Sequence, residues 1–203
     1  MDTPDTDAIV RAGETITDKE HREVVLLVDR PELSMTWSRY APGERGTDLH
    51  VHREHTDSFY VLRGRVTFEL GAGAERLALA AGSFVAIPPD VPHGFLIDGT
   101  DEAAWLNFHT PDSGFAEYMR GLRDGTKVPF DSFDWPVDGA RPAADAIVSA
   151  PGDGERLEHG LLKCDLPDLA VAEWTGPQRP GAVYHPLDGD RLLAIDAPGG
   201  GLR

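Results

Sequence analysis

Basic residues are scarce in this chain: 19 Lys and Arg stand against 35 Asp and Glu, a formal net charge of −16 at pH 7. A surface that acidic repels phosphate backbones and anionic lipid, and no basic patch interrupts it, so nucleic acid and membrane surfaces are disfavoured as partners. Cysteine is nearly missing. The single thiol, Cys164, can form no internal disulfide and, without cysteine neighbours, no zinc knuckle, so it reads as a buried inert thiol. No apolar run approaches bilayer length. The opening Met1-Asp-Thr-Pro-Asp-Thr-Asp lacks the basic and apolar regions of a signal peptide, and a soluble cytoplasmic protein is the expectation. With so short an acidic start, a DNA-reading helical domain is not expected.

What the chain does contain is short strand patterns, punctuated by Gly and Pro. At 203 residues it can bury one sizeable core, or form one domain with an appendage. Ala8 to Val10 reads as the start of a strand after a disordered arm over residues 1 to 7. Val24 to Asp29 and Leu33 to Tyr40 are rich in strand formers, with Arg30-Pro31-Glu32 as the turn between them. In the second, Leu33, Met35 and Trp37 share one face, which predicts a half-buried strand. Strands follow at His50, Ser58 to Leu62, Arg65 to Leu70, Arg76 to Leu79, Ser83 to Ile87, His93 to Ile97 and Ala103 to Phe108. Thr110-Pro111 reads as a helix start, with Phe115, Tyr118, Met119 and Leu122 at helical spacing and Gly125 as the stop. This predicts an antiparallel all-β barrel or sandwich with one short helix after it.

The segment His50-Val-His-Arg-Glu-His-Thr-Asp57 carries the chemistry. Two histidines one residue apart project from the same face of a strand, so one ion could touch both. Asp57 starts the next strand, and a turn over Arg53 to Thr56 would bring its carboxylate back toward the imidazoles. Pro88-Pro89-Asp90-Val91-Pro92-His93 then delivers one more histidine. Three imidazoles and a carboxylate can surround a divalent transition metal and leave positions open for substrate.

This pattern resembles the cupin superfamily. Its first motif runs glycine, a gap, His-x-His, three or four residues, glutamate, six residues, glycine, and appears here as Gly43, His50, His52, Asp57 and Gly64. Its second, Gly-x5-Pro-x-Gly-x2-His-x3-Asn, appears as Gly82, Pro88, Asp90, His93 and Ile97. The resemblance covers residues 20 to 112, about half of the chain. Aspartate stands at 57 for glutamate, Asp90 for glycine and Ile97 for asparagine, and the gap from Gly43 to His50 is longer than the motif's by one residue. Aspartate is one methylene shorter than glutamate, so it reaches roughly 1 Å less toward an ion whose ligand distances are about 2.0–2.2 Å.

The resemblance implies an antiparallel jelly-roll β-barrel. It also implies a divalent metal (iron, manganese, nickel, cobalt or zinc) held by His50, His52, Asp57 and His93, with Asp57 also placed to act as a base. Among small-molecule cupins the chain is similar to the quercetinase-like dioxygenases, which implies oxidoreductase chemistry on a small organic substrate. Two other readings stay open. One is a non-catalytic small-molecule-binding cupin, motivated by the departures at positions 57, 90 and 97. The other is an isomerase or epimerase, since fold does not dictate reaction, although no Lys- or Arg-rich pocket signature for phosphorylated sugars is visible.

Phe59, Val61, Phe95 and Ile97 share strand parity with the ligands and would wall an apolar substrate pocket. His109 shares a face with Trp105 and Asn107, and would stand behind the ligands, line the pocket or be a satisfied surface histidine. Glu54 and His55 are expected in a solvent-exposed turn, with His55 a substitute ligand if that turn is tight. His21, His159 and His185 have no motif support and read as structural.

Boundaries follow as an arm and first strand over 1–20, the barrel with its capping helix over 21–125, a linker or surface wrap over 126–145, and a remainder over 146–203. In that remainder Ala146-Ile-Val-x-Ala150 and Glu158-His159 repeat Ala8-Ile-Val-x-Ala12 and Glu20-His21, Asp165-Leu-Pro-Asp-Leu169 echoes Asp29-Arg-Pro-Glu-Leu33, and Arg179-Pro-Gly181 echoes Ala41-Pro-Gly43. It reads as a degenerate partial cupin repeat that lacks the His-x-His chemistry. Its strands are expected to pack on the barrel or on a partner chain in a homodimer, because unpaired edges seek partners.

Overall fold

The structure is a computed structural model that describes residues 6–197 and Leu202. Of the arm expected to be disordered, Met1 to Asp5 lie outside the described residues, while Thr6 and Asp7 open a helix. That helix, α1 (Thr6–Ala12), replaces the strand expected at Ala8 to Val10. Ala8, Arg11 and Ala12 favour helix, and Arg11 in the last turn complements the dipole, so the two β-branched residues between them do not dictate a strand.

Strands then follow closely: β1 (Glu14–Lys19), β2 (Arg22–Arg30), β3 (Leu33–Tyr40), β4 (His50–Val51) and β5 (Thr56–Arg63). Next come β6 (Arg65–Leu70), β7 (Glu75–Ala80), β8 (Phe84–Ile87), β9 (His93–Leu96) and β10 (Ala103–Thr110). After α2 (Phe115–Asp124) the chain forms β11 (Phe133–Asp134) and β12 (Ile147–Ser149). The last five strands are β13 (Glu155–Leu157), β14 (Gly160–Asp165), β15 (Ala170–Trp174), β16 (Val183–Pro186) and β17 (Leu192–Asp196).

All strand pairings are antiparallel. They make a seven-stranded sheet ordered β1-β2-β3-β10-β5-β8-β12, a five-stranded sheet β11-β4-β9-β6-β7, and a second five-stranded sheet β13-β14-β15-β17-β16. Hydrophobic alternation assigns the faces. Phe59, Val61, Val85, Ile87 and Trp105 join Phe68, Phe95 and Ile97 in one core between the first two sheets. Their neighbours Tyr60, Phe84, Leu106 and Phe108 face the other way and pack with Leu169, Val171, Leu193 and Ile195 of the C-terminal sheet. Each such side chain stabilises by about 1.5–3 kcal/mol on full burial.

The central strands are therefore covered on both faces, which explains why β10 is buried at all eight positions. It also corrects the half-buried reading of Leu33 to Tyr40. Leu33 and Met35 pack toward the C-terminal sheet, while Ser38 and Tyr40 face the cavity of the other layer.

The helix expected from Thr110 begins at Phe115, because β10 still pairs Thr110 with Thr56 and the chain must turn first. Asp112 supplies the cap, its carboxylate accepting from the Gly114 and Ala116 N–H groups at 2.9 and 3.0 Å. Gly125 ends the helix in the left-handed conformation, as its position predicts. Gly64, the whole connection between β5 and β6, has φ +71°, and a Cβ there would lie 2.3 Å from the Glu102 carbonyl oxygen. Only glycine fits.

Candidate metal centre

Strand register assembles the site. His50 is the direct cross-strand partner of His93, Asp57 pairs with His109, and Phe59 pairs with Asn107. His50, His52, Asp57 and His93 thereby present ligand atoms that all lie within 4.8 Å of one another. His52, Asp57 and His93 are buried, and His50 is nearly so.

Outer hydrogen bonds orient the imidazoles. The Nδ1–H of His50 donates to the Asp48 carbonyl at 2.9 Å, that of His93 to the Val91 carbonyl at 2.9 Å, and that of His52 to the Asp131 carbonyl. A carbonyl can only accept, so each ring carries its proton on Nδ1 and aims the Nε2 lone pair inward. The Nε2 atoms of His50 and His52 are 3.2 Å apart, and His93 Nε2 is 3.2 Å from Asp57 Oδ2. Lone pairs facing one another at this distance repel unless a cation lies between them. Two ligands ~2.1 Å from one ion and at right angles would be ~3.0 Å apart, so the donor set fits a divalent transition ion.

Electrostatics agree. Burial lowers the His50 pKa to about 3, helped by repulsion from His93 and His52. Burial is also the largest influence on Asp57 and pushes its carboxyl upward, but the neighbouring His109, His52 and His93 outweigh it and hold Asp57 well below the usual range. A neutral His50 thus stands beside an ionised carboxylate. Asn107 Nδ2 fixes that carboxylate by donating to Asp57 Oδ1 at 2.5 Å.

The departures from the family motifs have local explanations. Asp90 takes the left-handed conformation (φ +71°) that the motif's glycine would adopt, and Arg53 Nη1 holds its carboxylate at 2.5 Å. Ile97 is fully buried in the core, and the amide that reaches the carboxylate comes from Asn107 on β10.

A cavity of about 260 Å³ adjoins the group. Phe59 and Phe95 line it with Trp105, Phe115, Tyr118 and Phe130, and Arg22 lies among the lining residues. Val61 and Ile97 do not line it. Both are fully buried, one strand repeat of ~6.6 Å beyond Phe59 and Phe95, in the layer filled by core side chains. A larger cleft of about 580 Å³ lies between the seven-stranded and C-terminal sheets, lined by Trp37, Tyr60, Arg63, Glu173 and Arg191 among others. It includes no histidine, and Glu173 is already paired with Lys163, Arg191 and the Tyr60 hydroxyl.

Three contributions were not visible in the sequence. His55, expected in an exposed turn, is 1% exposed, its Nε2 2.8 Å from His109 Nδ1; Glu54 beside it is exposed as expected. Asp131, within the segment read as a linker, accepts from the Arg53 and Glu54 backbone N–H groups and contacts His55 Nδ1 at 2.9 Å. Phe130 packs its ring 5.3 Å from that of His52 and 5.4 Å from that of His55. That segment is tied to the site by β11, which pairs Asp134 with His50. The repeated aspartates and aromatics between Phe130 and Trp135 were the available signal.

Residues 36–109 match the family model described as the cupin domain. No curated protein matches the chain. Among solved structures the chain is similar to KdgF from Halomonas sp., at 22% identity over 50% of this chain and 88% of that one, with a TM-score of 0.43. It is similar to an RmlC-like cupin from Shewanella frigidimarina, at 22% identity over 50% and 86%, TM-score 0.43. A putative sugar phosphate isomerase from Acidithiobacillus ferrooxidans is also similar, at 23% identity over 53% and 74%, TM-score 0.43. The matched segment runs from within β3 to within β10 and contains His50, His52, Asp57 and His93, so the candidate metal site lies inside the part of the chain that matches the cupin domain.

Proposed function

We propose that this protein is a metal-dependent enzyme of the dioxygenase type, acting on a small, largely apolar organic molecule that bears an enolic or carbonyl oxygen. The observation that carries this reading is the inward convergence of the His50, His52 and His93 Nε2 atoms on Asp57, with every Nδ1 committed to a backbone carbonyl. A divalent transition ion held there would act as a Lewis acid toward the substrate oxygen. The chain's own part is to orient and to exclude water. Phe59, Phe95, Trp105 and Phe115 offer flat apolar walls, and about 260 Å³ suits a compact molecule. Asp57, held ionised at Oδ1 by Asn107, is placed to take a proton from that oxygen at Oδ2.

A phosphorylated sugar fits less well. Arg22 is the one cationic side chain lining the cavity among the described residues, and it is paired with Glu44 at 2.9 Å. The C-terminal strands, read as a degenerate repeat, would serve as a covering layer for the cupin domain. The test is elemental analysis of the purified untagged chain beside a His50→Ala/His52→Ala double variant, followed by oxygen uptake with flavonols and other enolisable compounds. Near-stoichiometric transition metal in the parent, its loss in the variant, and metal-dependent oxygen consumption are expected. Equal metal content in both proteins would remove the site, and binding of these compounds without oxygen uptake would leave a non-catalytic binding protein.

A further inference from the structure

We propose that the cavity contains a second metal position, built from His52, His55 and His109, which overlaps the first and competes with it for His52. The proposal rests on the reading of His50, His52, Asp57 and His93 as a metal site, and extends it to two histidines that site does not use.

The two groups are triangles of imidazoles sharing one corner. Ring centroids in the first are 4.7 Å (His50 to His52), 4.3 Å (His50 to His93) and 5.0 Å (His52 to His93) apart. In the second they are 4.1 Å (His52 to His55), 4.8 Å (His55 to His109) and 5.6 Å (His52 to His109) apart. The ligand atoms of the second group also lie within 4.8 Å of one another, and all three residues are buried.

Proton bookkeeping makes the same point as in the first group. Asn107 must turn its Nδ2 toward Asp57 Oδ1 and the Ser58 carbonyl, both of which only accept. Its Oδ1 therefore faces His109 Nε2 at 3.2 Å, and that nitrogen must carry the proton. On the other side, His55 Nδ1 lies 2.9 Å from the Asp131 carboxylate, which already accepts two backbone N–H groups, so His55 is protonated at Nδ1. The inner atoms, His55 Nε2 and His109 Nδ1, are left as two lone pairs 2.8 Å apart. Each outer nitrogen is braced by an amide or carboxylate, the arrangement that orients metal-bound imidazoles. A proton could fill the gap only by making a ring cationic, in a place where Phe115 stacks on His109 at 3.7 Å and Phe130 lies 5.4 Å from His55.

Exclusivity follows from His52. Its Nδ1 is committed to the Asp131 carbonyl, so one lone pair, on Nε2, serves both groups. The donor sets differ: the first includes the Asp57 carboxylate, the second is imidazole alone. Carboxylate suits manganese and all-imidazole donors suit copper, so the two ions would settle in different positions.

The experiment loads the full chain and its His93→Ala, His55→Ala and His55→Gln variants with Mn(II) or Cu(II). Free Mn(II) is read from its six-line paramagnetic resonance signal, and bound Cu(II) from its nitrogen hyperfine pattern. In the parent, Mn(II) and Cu(II) added together should total one ion per chain. His93→Ala should weaken Mn(II) at least tenfold and Cu(II) less than threefold; the His55 variants should do the reverse. Two ions bound together would overturn the competition for His52, and loss of both ions in His93→Ala with neither weakened by the His55 variants would overturn the second position; the first site stands in either case. Should the parent bind neither ion, or His93→Ala bind both unchanged, the first site itself would fall. The equimolar loading uses only the parent protein, so the competition stands or fails even if a variant does not fold.

Discussion

The carboxylate of Asp131 meets Nδ1 of His55 at 2.9 Å across 76 residues of sequence. The same side chain, 7% exposed, accepts from the Arg53 N–H at 3.0 Å and the Glu54 N–H at 2.7 Å, while its backbone carbonyl holds His52. One residue thus clamps the turn that carries two histidines. Replacing Asp131 with Ala strands these donors, at about 1–3 kcal/mol for each that stays buried. Partners of this kind are worth about 10–100-fold in metal affinity. Thermal unfolding and metal titration should show both losses, with Asp131→Asn intermediate. An Asp131→Ala protein that binds metal and melts like the parent would show that the clamp is idle.

Asp57 should matter both with and without an ion. Its buried carboxyl is held well below the usual range, so the folded chain favours the ionised form. Asp57→Asn keeps the shape and removes the charge, so in the presence of a chelator it should melt below the parent. Added Mn(II) should widen that gap. An ion at 100 times its dissociation constant stabilises the parent by about 2.7 kcal/mol, and most of that gain should vanish in the variant. Equal rises in melting temperature would exclude Asp57 as a ligand.

The sequence made the strands legible because alternation and Gly/Pro punctuation are local properties. His50, His52, Asp57 and His93 were legible because spacing on paired strands fixes which face a side chain takes. What stayed hidden depends on contacts without local period. Val61 and Ile97 have the correct parity, but distance along the strand decides whether a residue faces a cavity or fills the core, and parity carries no distance. Asp131 and Phe130 reach the site by crossing over it from a segment whose prolines and aspartates read as connection. Ala8 to Val10 misled because three residues are too few to separate a helical turn from a strand.

Cys164 tests the burial of the layer beneath the C-terminal sheet. Burial, then Asp168 and Asp165, pushes its thiol up to about 12, and the residue packs with Leu169 and Val171. The reactive species is the thiolate, so at pH 8 the native protein should resist an aromatic disulfide reagent, and denaturant should release one thiol per chain. Full reaction within seconds under native conditions would mean that this layer opens freely.

His185 is the reporter of pH. It is fully buried on β16, on the same strand face as Val183, which packs against the apolar layer, and neither ring nitrogen has a hydrogen-bond partner among the described residues. Burial lowers its pKa from 6.5 to about 4. Between those values the unfolded chain binds the proton and the folded one does not, so stability is complete above pH 6.5 and falls as the pH drops toward 4. The loss at pH 5 is about 2 kcal/mol by linkage. His185→Leu removes both the titration and two orphaned polar atoms, so it should stabilise the protein modestly at pH 7.5 and by about 2 kcal/mol more at pH 5. His50 and His55 titrate low as well and remain in the variant, so the difference between the two proteins, measured by denaturant melts at both pH values, isolates this one ring. Parallel stability curves would mean that the imidazole at 185 has found a proton-sharing partner or water.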